Sequence, residues 1–162
     1  MNRFDVARKG FELNRTRTLA LLDKVEQEPV PLAALGRRPG PGRAHLAWQL
    51  LHIAMTEELF ATERLVPGTT PQYPELVARF RGGSTPDDDI PSAAEIRRLL
   101  QETREHLLAT LATFREEQLS WISPALAQRG LTVDDVLDIL SWHEAHHQGQ
   151  AHLTFNLYKA QG

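Results

Sequence analysis

The segment Ser141-Trp142-His143-Glu144-Ala145-His146-His147-Gln148-Gly149-Gln150 holds the residue types most able to do chemistry in this chain. His143 and His147 stand four positions apart, so on a helix they project from one face, one turn apart. Two imidazoles held that way can grip a single divalent transition metal, and imidazole suits Zn, Ni, Cu or Fe. Another element must then supply at least one more ligand. His52, inside the apolar stretch from Leu46 to Leu65, is the candidate. Three protein ligands leave a position open for water or substrate, the pattern of a catalytic rather than a structural site. A metal in such a site can lower the pKa of a bound water to about 7, or deprotonate a coordinated thiol outright.

The remaining histidines read differently. His146 points about 100° away from His147 in an ideal helix, so it is expected to support the ligands or face solvent. His45, seven residues before His52, could share its face and is a reserve ligand. His106 and His152 read as rim or surface residues, and Glu144 reads as a solvated helix residue. Gln150, one turn beyond His147, is expected to line the pocket. Trp48 and Met55 would form its apolar wall between the second and fourth long helices. Two rival metal patterns share these residues. His143-Glu144-Ala145-His146-His147 satisfies H-E-x-x-H, in which the glutamate is a protease's general base. The extended form of that motif needs a later third ligand, and His152 falls one residue short of the place. Glu144-Ala145-His146-His147 matches Glu-x-x-His, half of a di-iron bundle site, but no second copy exists on the other helices.

The elements that must position these residues are four long helical patterns broken by Pro/Gly-rich segments. The first runs from about Phe4 to Gln27, with Phe11, Thr18, Leu21, Leu22 and Val25 on one stripe, and stops before Pro29-Val30-Pro31. The second spans about Arg43 to Leu65, with Trp48, Leu51, Met55 and Leu59 facing inward, and Pro67-Gly68 ends it. The third starts at Ser92, where Glu95 completes a capping box, and continues through Phe114. The fourth is capped by Thr132, carries Asp134 and Asp135 in its first turn, and runs to about Tyr158. Its inner stripe is Val136, Ile139, Leu140, His143, His147, Gln150 and Thr154, so the histidine pair lies among core positions. Between Val66 and Pro91 the chain holds a short helix near Pro74 to Phe80 and a connection too long for a tight turn. No stretch alternates as a strand does. The expected fold is all-α, a single domain over residues 1–162, an up-down-down-up four-helix bundle with a long crossing between helices two and three.

Composition narrows the function classes. With Cys 0 there is no disulfide, thiolate ligand or thiol nucleophile, so a metal site must use N and O donors. A formal net charge of -3 gives no electrostatic case for nucleic acid or anionic membrane. The N-terminus lacks the apolar core of a signal peptide and no apolar run reaches membrane-spanning length, so a cytoplasmic protein acting on a small-molecule substrate is expected.

Trp48-Gln49-Leu50-Leu51-His52-Ile53-Ala54 followed by Glu57-Glu58, with the late His143-to-Gln150 segment, resembles the DinB-like (DinB/YfiT) superfamily over essentially the whole chain. The resemblance implies an up-down-down-up bundle, frequently a homodimer, binding one divalent metal through three histidines. The helix-two ligand falls on His52 and the helix-four ligands on His143 and His147, all intact here. Zinc or nickel is the ion implied. Relatives include S-transferases that use bacillithiol or similar low-molecular-weight thiols, and mycothiol-dependent isomerases. A thiol S-transferase acting on small electrophiles is the leading expectation. The alternatives are a metal-dependent hydrolase and a non-catalytic metal-binding protein of the stress response.

Overall fold

Each long helix begins where a short polar side chain can satisfy the first free backbone N–H groups. In the computed structural model, which describes residues 1–161, Asn2 and Asp5 close a reciprocal capping box on α1 (Arg3–Glu26). The stripe expected of that helix is the stripe it buries: Phe11, Thr18, Leu21, Leu22 and Val25. The proline-rich stretch after α1 breaks the helix and also starts one, since Pro31 occupies the first turn of α2 (Pro31–Leu35). Proline lacks only an N–H that a first turn leaves unused, which is why a segment read as loop contains a helix.

The next long element, α3 (Leu46–Leu59), departs from the expected one-sided stripe. All 14 of its residues are buried, as befits a helix enclosed by neighbours on every side. It also ends earlier than the sequence suggests. Phe60–Arg64 form a π-helical turn with Thr62 at φ -118° and ψ -111°. The Thr62 hydroxyl donates to the Glu58 carbonyl at 2.7 Å, the back-bonding that bends helices. After the short α4 (Pro74–Phe80), Ser92 caps α5 (Ala93–Leu111) by accepting from Glu95 N, without a return bond from Glu95. Helix α5 closes at Leu111, so Phe114 lies beyond it. Two 3₁₀ turns, Glu116–Gln118 and Pro124–Arg129, lead to α6 (Val133–Lys159), whose Thr132–Asp135 capping box is complete.

The described residues are therefore all-helical, without strands. Four long helices are joined by the short α2 and α4, the π turn and the 3₁₀ turns. Contacts between α1 and α6 climb both elements together: Arg3 pairs with Asp134 and Asp138, Asn14 with the Ser141 carbonyl, and Arg15 with Glu144. Between α3 and α6 the order reverses, with Gln49 on His147 and Thr56 near His143. Between α3 with its following π turn and α5 it climbs together again, Glu57 with Arg104 and the Ala61 carbonyl with Thr110.

The apolar core is in two parts. One cluster gathers Leu21, Leu22, Leu50, Ile53, Leu99 and Phe155 with their neighbours; the other gathers Phe11, Phe60, Leu107, Leu111, Val136 and Leu140. Between them polar side chains from all four long helices meet across the interior.

Candidate metal centre

Helix α3 brings His52, and α6 brings His143 and His147, to one place. One ring nitrogen from each lies within 4.8 Å of the other two. The backbone decides which nitrogens are available. His52 Nδ1 sits 2.7 Å from the Phe80 carbonyl oxygen, which can only accept, so Nδ1 carries the proton and Nε2 keeps its lone pair. His147 Nδ1 is fixed in the same way by Gln49 Oε1 at 2.6 Å. His143 Nε2 lies 3.0 Å from His52 Nε2 and 3.5 Å from the Thr56 hydroxyl. Two imidazole nitrogens that close need a proton or a cation between them. Two ligands on a tetrahedral ion at ~2.1 Å would stand about 3.4 Å apart, so the cluster needs little movement to share one ion.

Protonation does not compete near neutral pH. Burial, then the His52 charge, pushes the His143 imidazolium down to about 4. Burial, then His143 and His52, takes His147 to about 3. His52 is lowered as well, chiefly by burial, against the opposing bond from the Phe80 carbonyl. All three rings are therefore neutral, the form that ligates. A nitrogen-only donor set of this kind fits zinc, nickel or another imidazole-preferring ion.

Glu144 is not the solvated residue its sequence context suggests. It is 1% exposed and turned away from the histidines. Arg15 Nε donates to its Oε1 at 2.8 Å, the Thr18 hydroxyl donates to the same oxygen at 2.9 Å, and Arg104 Nη2 donates to Oε2. The same arginines hold Glu57: Arg15 Nη2 lies 3.0 Å from each of its oxygens and Arg104 Nε 3.0 Å from Oε1. Burial alone would raise the Glu57 carboxyl, but Arg15 and Arg104 outweigh it and hold it below its ordinary range. The H-E-x-x-H reading fails on this geometry, because its glutamate is engaged by two guanidinium groups on the far side of the helix.

Trp48 stacks on His52 with centroids 4.6 Å apart and planes 13° from parallel. With Gln49, Arg43, Ser84, Gln150 and Leu153 it lines a groove of about 420 Å³ beside the cluster. Trp48 and Gln150, expected at a pocket wall, both line this groove, although the Gln150 amide turns to His146 Nε2 at 2.8 Å. Met55 does not. It is 0% exposed and sealed in the first core cluster, because α3 is enclosed on all sides. His45 is withdrawn from any ligand role: its Nδ1 caps α3 by accepting from Trp48 N at 3.0 Å. His106 is half-buried against Glu58 at 2.9 Å, and His146 is exposed, stacked on Trp142.

Sequence reasoning missed Gln49, Thr56 and the arginine–glutamate network. Gln49 gives no signal on its own. The network does: Arg15 follows Phe11 by four positions, Arg104 follows Leu100 by four, and Glu144 follows Leu140 by four. Each charge sits on a core stripe where a lone one would be prohibitive.

A family model described as the DinB superfamily matches residues 11–151, which include all three histidines. No curated protein and no solved structure gives a significant match.

Proposed function

The chain belongs to the DinB superfamily, and on that premise we propose that it holds one divalent metal, zinc or nickel, on His52, His143 and His147. We further propose that it is a thiol S-transferase acting on small electrophiles. The observation that carries the reading is the convergence of three neutral imidazole nitrogens within 4.8 Å, two with tautomers fixed by Phe80 and Gln49. A divalent cation there supplies Lewis acidity, which lowers the pKa of an arriving thiol. The chain's own part is to hold the ligand rings rigid, to shield one flank with the Trp48 indole and to leave a groove beside them. A hydrolase would want a nearby carboxylate as general base. Of the three buried carboxylates on the two ligand helices, Glu57 and Glu144 are tied to arginines and Glu58 to His106 and the Gln72 backbone N–H, which favours the thiol reaction.

The same reading takes the four long helices as an up-down-down-up bundle, supported by the matched order of the α1–α6 and α3–α5 contacts and the reversed order of α3–α6. It also includes a homodimer. Trp142, Leu153 and Leu157 are 63%, 59% and 36% exposed on α6, at spacings that put them on one face with Gly149 between. Such a stripe supports an interface between two copies.

The test is turnover of a panel of electrophiles with and without small thiols, comparing metal-loaded, chelated and His143→Ala protein. Loss that needs both metal and thiol and vanishes in His143→Ala supports the transferase. Equal rates in all three preparations would remove it.

A further inference from the structure

Glu58 follows Glu57 on α3, yet it answers to no arginine. It is 0% exposed, and both of its oxygens are engaged. Oε1 accepts from the Gln72 backbone N–H at 2.6 Å, and Oε2 lies 2.9 Å from His106 Nδ1. An ionised carboxylate only accepts, so Nδ1 of His106 carries the proton and Nε2 of the neutral ring keeps its lone pair. Glu57 and Glu144 have two guanidinium groups between them. Among the described residues Glu58 pairs with no lysine or arginine, only with His106. Its buried charge is left unbalanced, which is costly in a protein interior.

His106 stands on the wall of a cavity of about 410 Å³ between the π turn and α5. The threonines of that wall have spent their protons on the backbone. The Thr62 hydroxyl donates to the Glu58 carbonyl, Thr69 to Val66, Thr110 to Ala61 and Thr113 to Thr110, at 2.7 to 2.9 Å. Thr70, exposed at the rim, forms no such bond among the described residues. A hydroxyl has one proton and two lone pairs, so these four can only accept from a guest. His106 Nε2 is an acceptor as well, with a negative charge one imidazole behind it. The apolar part of the lining is aliphatic, from Ala61, Val66 and Ala109. None of these residues lines the groove beside Trp48.

We propose that this cavity is a second binding site, for a small aliphatic ammonium ion, with His106 and Glu58 as its anchor. The ammonium N–H groups donate to His106 Nε2 and to threonine oxygens, and the carbon chain lies against the alanines and Val66. An ammonium has three donors and no acceptor, the complement of a wall that only accepts. Its charge also balances Glu58 through the polarised imidazole. An oxyanion meets lone pairs and a buried carboxylate here, and is refused.

Nuclear magnetic resonance titration of the full chain with n-butylammonium chloride tests it. At pH 8 an ordinary imidazole is neutral and an alkylamine is still protonated. Tetramethylammonium, a charge without donors, and n-butanol, a donor without charge, are the controls. Butylammonium should shift the Thr62, Thr69 and Thr110 amide signals and bind about tenfold more tightly than either control. His106→Asn, whose amide can still donate to Glu58, removes the Nε2 acceptor and should weaken binding about tenfold. Ala109→Phe fills the cavity from an exposed position and should abolish binding with helical circular dichroism unchanged. Thr16→Val, exposed on α1, should bind as wild type does. Equal affinity for all three probes would overturn the proposal, as would wild-type binding retained in both His106→Asn and Ala109→Phe, or no binding at all. The titration is run on metal-loaded and chelated protein. Equal binding in both is expected, whereas binding lost on chelation would place the amine on the metal and overturn the second site.

Discussion

At the scale of residues, the two bonds that fix ring orientation matter as much as the ligands. Gln49 Oε1 holds His147 Nδ1 at 2.6 Å, so Gln49→Leu should free the ring to turn and choose the wrong tautomer. A loss of about 10- to 100-fold in metal affinity is expected for such a partner. A competition titration with a chromophoric chelator measures it, and an unchanged affinity would show that His147 does not ligate. The metal-free protein should also report the buried rings through pH. From the ordinary histidine value of 6.5 down to about 4 for His143 and about 3 for His147, the unfolded chain binds protons that the folded chain refuses. Stability then falls as pH falls through that window, by about 1.4 kcal/mol per pH unit for each full proton of difference. Urea unfolding of chelated protein between pH 7 and pH 4.5 should show that slope, and it should be shallower in His143→Asn. The convergence of His143 and His147 was legible in the sequence because histidine spacing on a helix is geometric, and His52 because it stands inside an apolar stretch. Gln49 was not, because nothing in its own position distinguishes a ring-orienting amide from an ordinary one.

At the scale of elements, helix starts were legible and helix interiors less so. The caps at Ser92 and Thr132 stand where polar residues precede apolar stripes. The π turn after α3 was not visible, since it depends on Thr62 bonding back to Glu58 rather than on a proline or glycine. Nor was α2, because a proline that stops one helix reads the same as one that starts another. The network linking α1, α3, α5 and α6 gives this scale its prediction. Glu144→Ala leaves Arg15 and Arg104 with one carboxylate between them in a buried setting, a loss of about 3 to 5 kcal/mol. Thr132→Ala, which removes only an exposed cap, should cost about 1 kcal/mol. Chemical denaturation of both variants orders them. Equal costs would mean that the network is solvated in solution and contributes little.

At the scale of the whole molecule, a polar belt divides the core at mid-height. On one flank of α6 it carries the ion-paired glutamates, and on the other the neutral histidines, so adjacent residues His143 and Glu144 serve opposite ends of it. The belt occupies the Glu57 and Glu144 carboxylates with Arg15 and Arg104 and ties together the two helices that carry the histidines. No described helix is long and apolar enough to cross a membrane. The exposed face of α6 should join two copies: light scattering is expected to give a dimer for the wild type and a monomer for Trp142→Glu combined with Leu153→Glu. A monomeric wild type at micromolar concentration would remove the dimer from the account.

The central claim is that three histidines from α3 and α6 hold one ion, and metal content tests it most directly. Untagged protein dialysed against zinc or nickel and then against buffer should retain one ion per chain by mass spectrometry, and His52→Ala and His147→Ala, still helical by circular dichroism, should retain almost none. Variants that keep the wild-type metal content, or wild-type protein that takes up no ion, would contradict it.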